Sequence, residues 1–355
     1  MVSDVLVLTF LKAFDYVSNR FVSDDIFERN QKALFIDLES VNFNDHLDEL
    51  REFSRLVSRL NLVIVGLLER PSPPTVSSSL FSGFDLVITC SKDHRIAVTV
   101  NDLDNAIRDL SSEIEKNPYA AIILAQLLRQ EAFNDVSKGL ILESLTYAML
   151  QSGDEFKSWL SERGELSQPA DEVPVVESHR IGNTLSIFLN RPNRANAFSS
   201  TMRDALYETL QTAISDKTIE SISLRGNGSS FCSGGELAEF GSVLSPPDGH
   251  LVRLARSPSM SVHQLCTRMT AYLHGTCAGA GIEIPAFASK VIVDETVSIF
   301  LPEVSMGLIP GAGGTVSIPR RIGRHKTLYL ALSGKSIGSE IAFQWGLVDD
   351  VISPE

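Results

Sequence analysis

The 355-residue sequence predicts an α/β protein built in two parts. Three observations lead there. Short apolar runs alternate with helical patterns in both halves, the order that layers helices on a parallel sheet. Between the halves, residues 164–174 (GELSQPADEVP) are acidic, proline-bearing and without hydrophobic period, as a linker is. In the second half, the stretch 272–315 sets two carboxylates, Glu283 and Glu303, among glycines and aliphatic residues. Such a stretch suits acid/base chemistry beside exposed backbone.

Composition narrows the partners. Hydrophobic residues at 43 % and charged ones at 21 % describe a globular chain that can bury a core. A formal charge of −13 argues against nucleic acid as the main partner, because phosphate backbones need a basic face. Arg320, Arg321, Arg324, His325 and Lys326 form the one dense basic cluster, either a solvated helix start or a site for a small anion. Cys90, Cys232, Cys266 and Cys277 show no ligand or CxxC spacing, so free thiols in a reducing compartment and no metal site are expected. The apolar N-terminal run carries Asp4 ahead of it and no basic flank, which reads against a secretory signal. No uncharged apolar stretch approaches the roughly 20 residues of a membrane span, so no membrane partner and a cytoplasmic location are expected.

The elements follow in order. Residues 1–30 read as one or two amphipathic helical turns and 33–38 as a buried strand. Leu47, Leu50, Phe53, Leu56, Val57 and Leu60 give 46–60 helical spacing, and 61–68 (NLVIVGLL) is a strand. RPSPPTVSSS, residues 70–79, breaks structure, and strands follow at 84–89 and 96–100. Helices are then predicted at 103–115, 119–130, 135–151 and 154–162. One apolar face holds Ile123, Leu124, Leu127 and Leu128, another Leu140, Ile141, Leu145 and Met149; each must bury against a sheet or a neighbouring subunit. Past the linker come a strand at 184–189, a helix at 201–215, a strand at 220–224, a polar loop near SPPDGH and a helix over about 252–269. The expected division is an α/β half over 1–165 with its helical region at 101–165, a linker at 166–178, and a catalytic core over 179–355.

Four blocks carry a resemblance: LNRPNRANAFSSTM, GNGSSFCSGGELAEF, LHGTCAGAGIEIPAFAS, and LPEVSMGLIPGAGGTVSIPRRIG with GLVDDV after it. In this order and spacing the second half resembles the crotonase superfamily of enoyl-CoA hydratases and isomerases. The resemblance implies a ββα superhelix, or spiral, as the core. It implies an acyl-CoA thioester substrate whose enolate is held by two backbone N–H groups, here those of Ser233 and Ala280. Each would sit where a loop enters a helix, so the positive helix end faces the developing charge. Glu283, three residues after Ala280, shares its side of a helix, and the resemblance makes Glu283 and Glu303 the pair that handles water and proton. The bland reading of Glu283 is a structural ion pair or a solvent-facing site. Coenzyme A contacts carry over to Arg194, Ala195, Ala197, Cys232, Gly234, Gly235, Leu237 and Gly279. The implied reaction is hydration of the 2,3 double bond of an enoyl-CoA. Isomerisation, dehydration, decarboxylation or thioester hydrolysis, and a non-catalytic acyl-CoA-binding subunit, stay open. No permanently bound cofactor is expected, coenzyme A arriving as part of the substrate; the partner is a second copy of the chain, as a trimer, hexamer or dimer.

The sequence departs from the family in places. Ala280 stands where a glycine is usual, Pro285 falls early in the helix of Glu283, and Ser289 replaces a common aspartate. Ordinary members continue past GLVDxV into several helices that cover the active site, whereas this sequence ends at Glu355. Residues 100–130, and the helices on to Glu162, resemble that missing tail. Residues 31–165 thus read as a degenerate crotonase-like half, whose helices roof the catalytic half in the same or a neighbouring chain.

Overall fold

The computed structural model describes residues 6–39, 41–43, 45–69, 81–92, 96–167, 174–242 and 245–354. The expected break at 70–79 and residues 168–173 of the expected linker lie outside them. The chain divides into two compact units, residues 1–131 with 323–333, and residues 132–322 with 334–355. This differs from the division expected at 165: the helices over 136–163 pack within the second unit. No helix among the described residues is long and apolar enough to cross a membrane.

In the first unit, β1 (Val7–Thr9), β2 (Ala33–Asp37), β3 (Val63–Leu68), β4 (Leu86–Thr89) and β5 (Val98–Thr99) form one parallel sheet in chain order. Its helices are α1 (Phe10–Ser18), α2 (Val22–Glu28), α3 (Leu47–Val57), α4 (Leu103–Lys116) and α5 (Pro118–Arg129). β3 is buried at every position, as a strand covered on both faces must be. The sequence reading missed β1, whose three residues are too few to show a period. A buried ion pair ties α5 to the sheet. Arg129 grips both carboxylate oxygens of Asp85 at 2.6 Å and donates to the Val57 and Leu60 carbonyls at 3.2 and 2.9 Å.

The second unit begins with α6 (Val136–Gln151) and α7 (Asp154–Arg163). Then come β6 (Val176–Ile181), β7 (Thr184–Leu189), α8 (Ser200–Ser215), β8 (Ser221–Gly226), α9 (Pro246–Ala255) and α10 (Pro258–Leu265). The last elements are β9 (Met269–Leu273), β10 (Thr276–Ala278), α11 (Ala280–Glu283), β11 (Lys290–Asp294), β12 (Ser298–Phe300), α12 (Gly314–Ser333), α13 (Ser339–Trp345) and β13 (Asp350–Ile352). The helix expected over 252–269 is two helices. Pro258 opens the second, and a proline suits a first turn but not an interior.

Six strands form one sheet in the order β13-β11-β9-β8-β7-β6, parallel except for the β6–β7 hairpin. A second, small sheet pairs β10 with β12, and an isolated bridge adds Cys232 beside Cys277. The chain therefore alternates between a large-sheet and a small-sheet strand: β8 then Cys232, β9 then β10, β11 then β12. That alternation is the expected ββα spiral. Its register aligns Cys232, Cys277 and Ile299 in one row.

The basic cluster is neither a solvated helix start nor an open anion site. α12 breaks at Gly323, where φ is 77° and ψ 161°, and from there to Ser333 the chain belongs to the first unit. Before the break, Arg320 donates to the Phe133 carbonyl, and Arg321 to the carbonyls of Ala286 and Ala288 and to Asp349. After it, Arg324 is buried, donates to the Ser82 carbonyl at 2.7 Å and stands 3.8 Å from Asp85.

Candidate active site

The spiral makes three distant segments neighbours. Ser233, Ala280 and Glu303 all follow within four residues of the row Cys232, Cys277, Ile299, so successive turns leave the small sheet on one side. The loop over Cys232 lies tight on α11: a Cβ at Gly281 would collide with the Cys232 carbonyl oxygen. α11 lasts a single turn because Pro285 cannot donate the next helical bond, and the chain continues as a 3₁₀ turn over Pro285–Phe287. Glu283 closes that single turn and is 1 % exposed. Glu303, on the 3₁₀ turn Glu303–Met306, is buried as well.

A third buried carboxylate joins them. Glu143, on α6, accepts from the Gly313 and Thr315 N–H groups at 2.7 and 2.9 Å and from the Thr315 hydroxyl at 2.7 Å. Glu283 accepts from the Ala312 and Gly314 N–H groups at 2.7 and 2.8 Å. The two side chains thus take alternate amides at the start of α12, where unpaired N–H groups and the helix dipole favour negative charge. Glu303 has its own backbone N–H and no helix-start amide, and its Oε2 has no partner among the described residues. Burial, the largest cause, raises all three carboxyls: Glu143 to about 7, Glu303 to about 8, and Glu283 well above its usual range. Repulsion from Glu303 and Glu143 adds to the rise at Glu283, while its two amides oppose it.

The carboxylates face a cavity of about 240 Å³ that is also lined by Ala280, Tyr147 and Arg253. An adjoining pocket of about 560 Å³ is lined by Arg194, Ala197, Ser233, Gly234, Leu237 and Met306. Gly235, Glu236, Phe240 and Glu303 line both. α7 holds the rim, with Trp159 edge-on to Phe240 at 5.8 Å and Arg163 donating to the Phe240 carbonyl at 3.2 Å and to that of Leu237.

The expected donors differ in state. The Ala280 N–H has no acceptor among the described residues. The Ser233 N–H donates to the Ala195 carbonyl at 2.9 Å, so it is not a free donor. That carbonyl is fixed by a tight turn: Ala195 and Asn196 take φ of 48° and 52°, and the buried Asn196 side chain bonds the Arg191 N–H and the carbonyls of Asn227 and Ser230. Arg194 also differs from its expected role, since it forks onto the buried Glu236 at 2.9 and 2.7 Å and is not free for a phosphate. Of the other expected coenzyme A contacts, Ala195, Cys232 and Gly279 line neither pocket. Burial pushes the Cys232 thiol up to about 12, which makes it inert packing. His274 bonds the Gly228 carbonyl at 2.9 Å.

The sequence reading missed Glu143, Tyr147, Arg253 and Glu236. Of the apolar face expected on α6, only Leu140 is buried within this chain. Ile141, Leu145 and Met149 are exposed, while Val136, Leu140, Glu143, Ser144 and Ala148 are buried. The signal was the 3–4 spacing of that second set, with a lone glutamate where amides had to be met. Arg253 then bridges α9 to α6, donating to Ser144 at 3.0 Å with its guanidinium 4.7 Å above the Tyr147 ring.

A ββα spiral with buried glutamates lining one cavity is the frame in which known relatives are compared. The model of the family "Enoyl-CoA hydratase/isomerase" matches residues 180–355. The 1,2-epoxyphenylacetyl-CoA isomerase of Escherichia coli (strain K12) is 31 % identical over 187 residues, 51 % of this chain and 70 % of that protein. The 2,3-dehydroadipyl-CoA hydratase of the same strain is 32 % identical over 187 residues, 51 % of this chain and 69 % of that protein. The solved enoyl-CoA hydratase of Thermoplasma volcanium GSS1 has 30 % identity and a TM-score of 0.46, covering 52 % of this chain and 73 % of that one. The chain belongs to the enoyl-CoA hydratase/isomerase family of the crotonase superfamily.

Proposed function

We propose that the protein hydrates the 2,3 double bond of an enoyl-CoA. The observation that carries this reading is the pairing of Glu283 and Glu303 around one cavity that Ala280 also lines. The thioester oxygen accepts from the Ala280 N–H, and from the Ser233 N–H as that group exchanges Ala195 for the substrate. Charge developing on the enolate oxygen then meets one preorganised donor, the Ala280 N–H, and a second once the Ser233 N–H has left the Ala195 carbonyl. The two glutamates repel each other, so they titrate as a pair and one holds a proton. Glu283 is the member of the pair with two amides to steady a carboxylate, and as the base it takes a proton from water as that water adds to C3, against the burial that raises it. Glu303, unsupported at Oε2, keeps its proton and delivers it to C2. Nothing else is gained or lost.

The test follows the loss of conjugated thioester absorbance with crotonyl-CoA and longer enoyl-CoAs, for wild type and Glu303→Gln. Hydration that falls about 10²- to 10⁴-fold in the variant is expected. Isomerised, decarboxylated or hydrolysed product sinks hydration in favour of a sister reaction. Acyl-CoA binding without turnover on any thioester sinks catalysis itself.

The degenerate-copy reading of the first unit rests on its parallel strands added in chain order; its described strands form one sheet without the small second sheet of the spiral, and its sequence lacks both oxyanion loops and the glycine turn.

A further inference from the structure

We propose that Glu143 is a positioning residue for the Glu283–Glu303 pair: its carboxylate clamps the turn over 312–315 so that the alternate amides of that turn fix Glu283. The inference rests on the hydratase reading above and deepens it. Gly313 and Thr315 are bound by Glu143, while Ala312 and Gly314 are bound by Glu283, so neither carboxylate can shift without moving the other's donors. Glu143 lies 140 residues before Glu283, on a different element, and is 2 % exposed. A buried carboxylate is costly unless hydrogen bonds meet it, and here three do. The bland alternative is that these bonds only fasten α6 to the core.

The charged and titratable groups facing Glu143 are Glu283 from α11, Glu303 from the turn after β12, Arg253 from α9 and Tyr147 from its own helix, with His250 of α9 bonded to the adjacent Ser144 at 3.0 Å. The negative charge of Glu143 raises both catalytic carboxyls. Removing it should therefore let each lose its proton at lower pH.

The experiment compares wild type with Glu143→Gln. A glutamine cannot accept from both sides of the turn, because its NH₂ must face an N–H donor at Gly313 or Thr315. Turnover of crotonyl-CoA is measured across pH. In parallel, ¹³C-carboxyl NMR titrations on Glu-labelled protein are assigned through Glu283→Gln and Glu303→Gln. We expect kcat to fall about tenfold or more with KM nearly unchanged, since the lost interaction serves the transition state. The alkaline limb of the kcat profile and both glutamate titrations should move to lower pH. A profile and titrations that superimpose on wild type, with only the melting temperature lowered, would overturn the proposal. If wild type turns over no enoyl-CoA, the hydratase reading fails, while the titrations still decide the role of Glu143. Should Glu143→Gln not fold, Thr315→Val removes one bond of the three and should shift kcat and both titrations in the same direction by less. Unchanged values there overturn the proposal equally.

Discussion

Glu303 Oε1 lies so close to Gly279 that the glycine has no room for a Cβ. An added methyl would collide with that oxygen and stand 3.6 Å from Glu283 Oε1. Gly279 also holds φ at 47°, a left-handed value that side chains disfavour. Gly279→Ala should cost about 1–3 kcal/mol of stability. It should also lower kcat/KM on crotonyl-CoA by about tenfold or more by displacing Glu303. Thermal unfolding and steady-state rates check both, and wild-type kinetics in a folded Gly279→Ala protein would exclude the crowding.

The three buried carboxyls set a pH dependence of stability. Each has its folded pKa raised above an ordinary 4.5, to about 7 for Glu143 and about 8 for Glu303. The folded state therefore holds these protons more tightly than the unfolded chain does. Their contribution is fully present below the unfolded value and is lost as pH rises through the folded ones. Melting temperature should fall as pH is raised from about 5 to about 9. Glu303→Gln, which has no carboxyl to titrate, should fall less. Parallel slopes for the two proteins, followed by circular dichroism, would count against the raised value at Glu303.

α7 governs the pocket rim through Arg163, whose guanidinium lies 5.3 Å over Trp159 and donates to the carbonyls of Phe240 and Leu237. Arg163→Ala should destabilise the second unit by about 1–3 kcal/mol. Because it loosens a wall shared by both pockets and leaves Glu283 and Glu303 in place, KM for the acyl-CoA should rise more than kcat falls. A KM equal to wild type would separate α7 from substrate binding.

In the first unit, Arg129→Ala leaves Asp85, with 2 % of its side chain exposed, without its forked partner. Breaking a buried pair from one side costs about 3–5 kcal/mol. Denaturant unfolding should show that loss. A change of less than about 1 kcal/mol would mean that Arg324, 3.8 Å from Asp85, compensates.

Much of the second unit was legible without coordinates, for a local reason. The loop after Cys232 sits just past an isolated bridge, and the Gly279–Glu283 turn and Glu303 each follow a short strand. The spiral repeats that arrangement in chain order, so linear spacing became spatial adjacency. The fold class of the second half and the resemblance that singled out Glu283, Glu303 and Ala280 follow from residues 180–355 taken by themselves.

What only the tertiary structure decided concerns partners far apart in the chain. Glu143 is an isolated acid among leucines until the amides of residues 313 and 315 arrive to meet it, and only then is the polar face of α6 the buried one. The unit boundary falls at 131 because α6 binds the glycine turn, a contact no local pattern encodes. Ser233 and Arg194 carry the right residue types at the right spacing, yet the Ala195 carbonyl and Glu236 engage them. Spacing along a chain specifies which groups a turn presents. Which hydrogen-bonding groups already have partners is settled only when every element is packed.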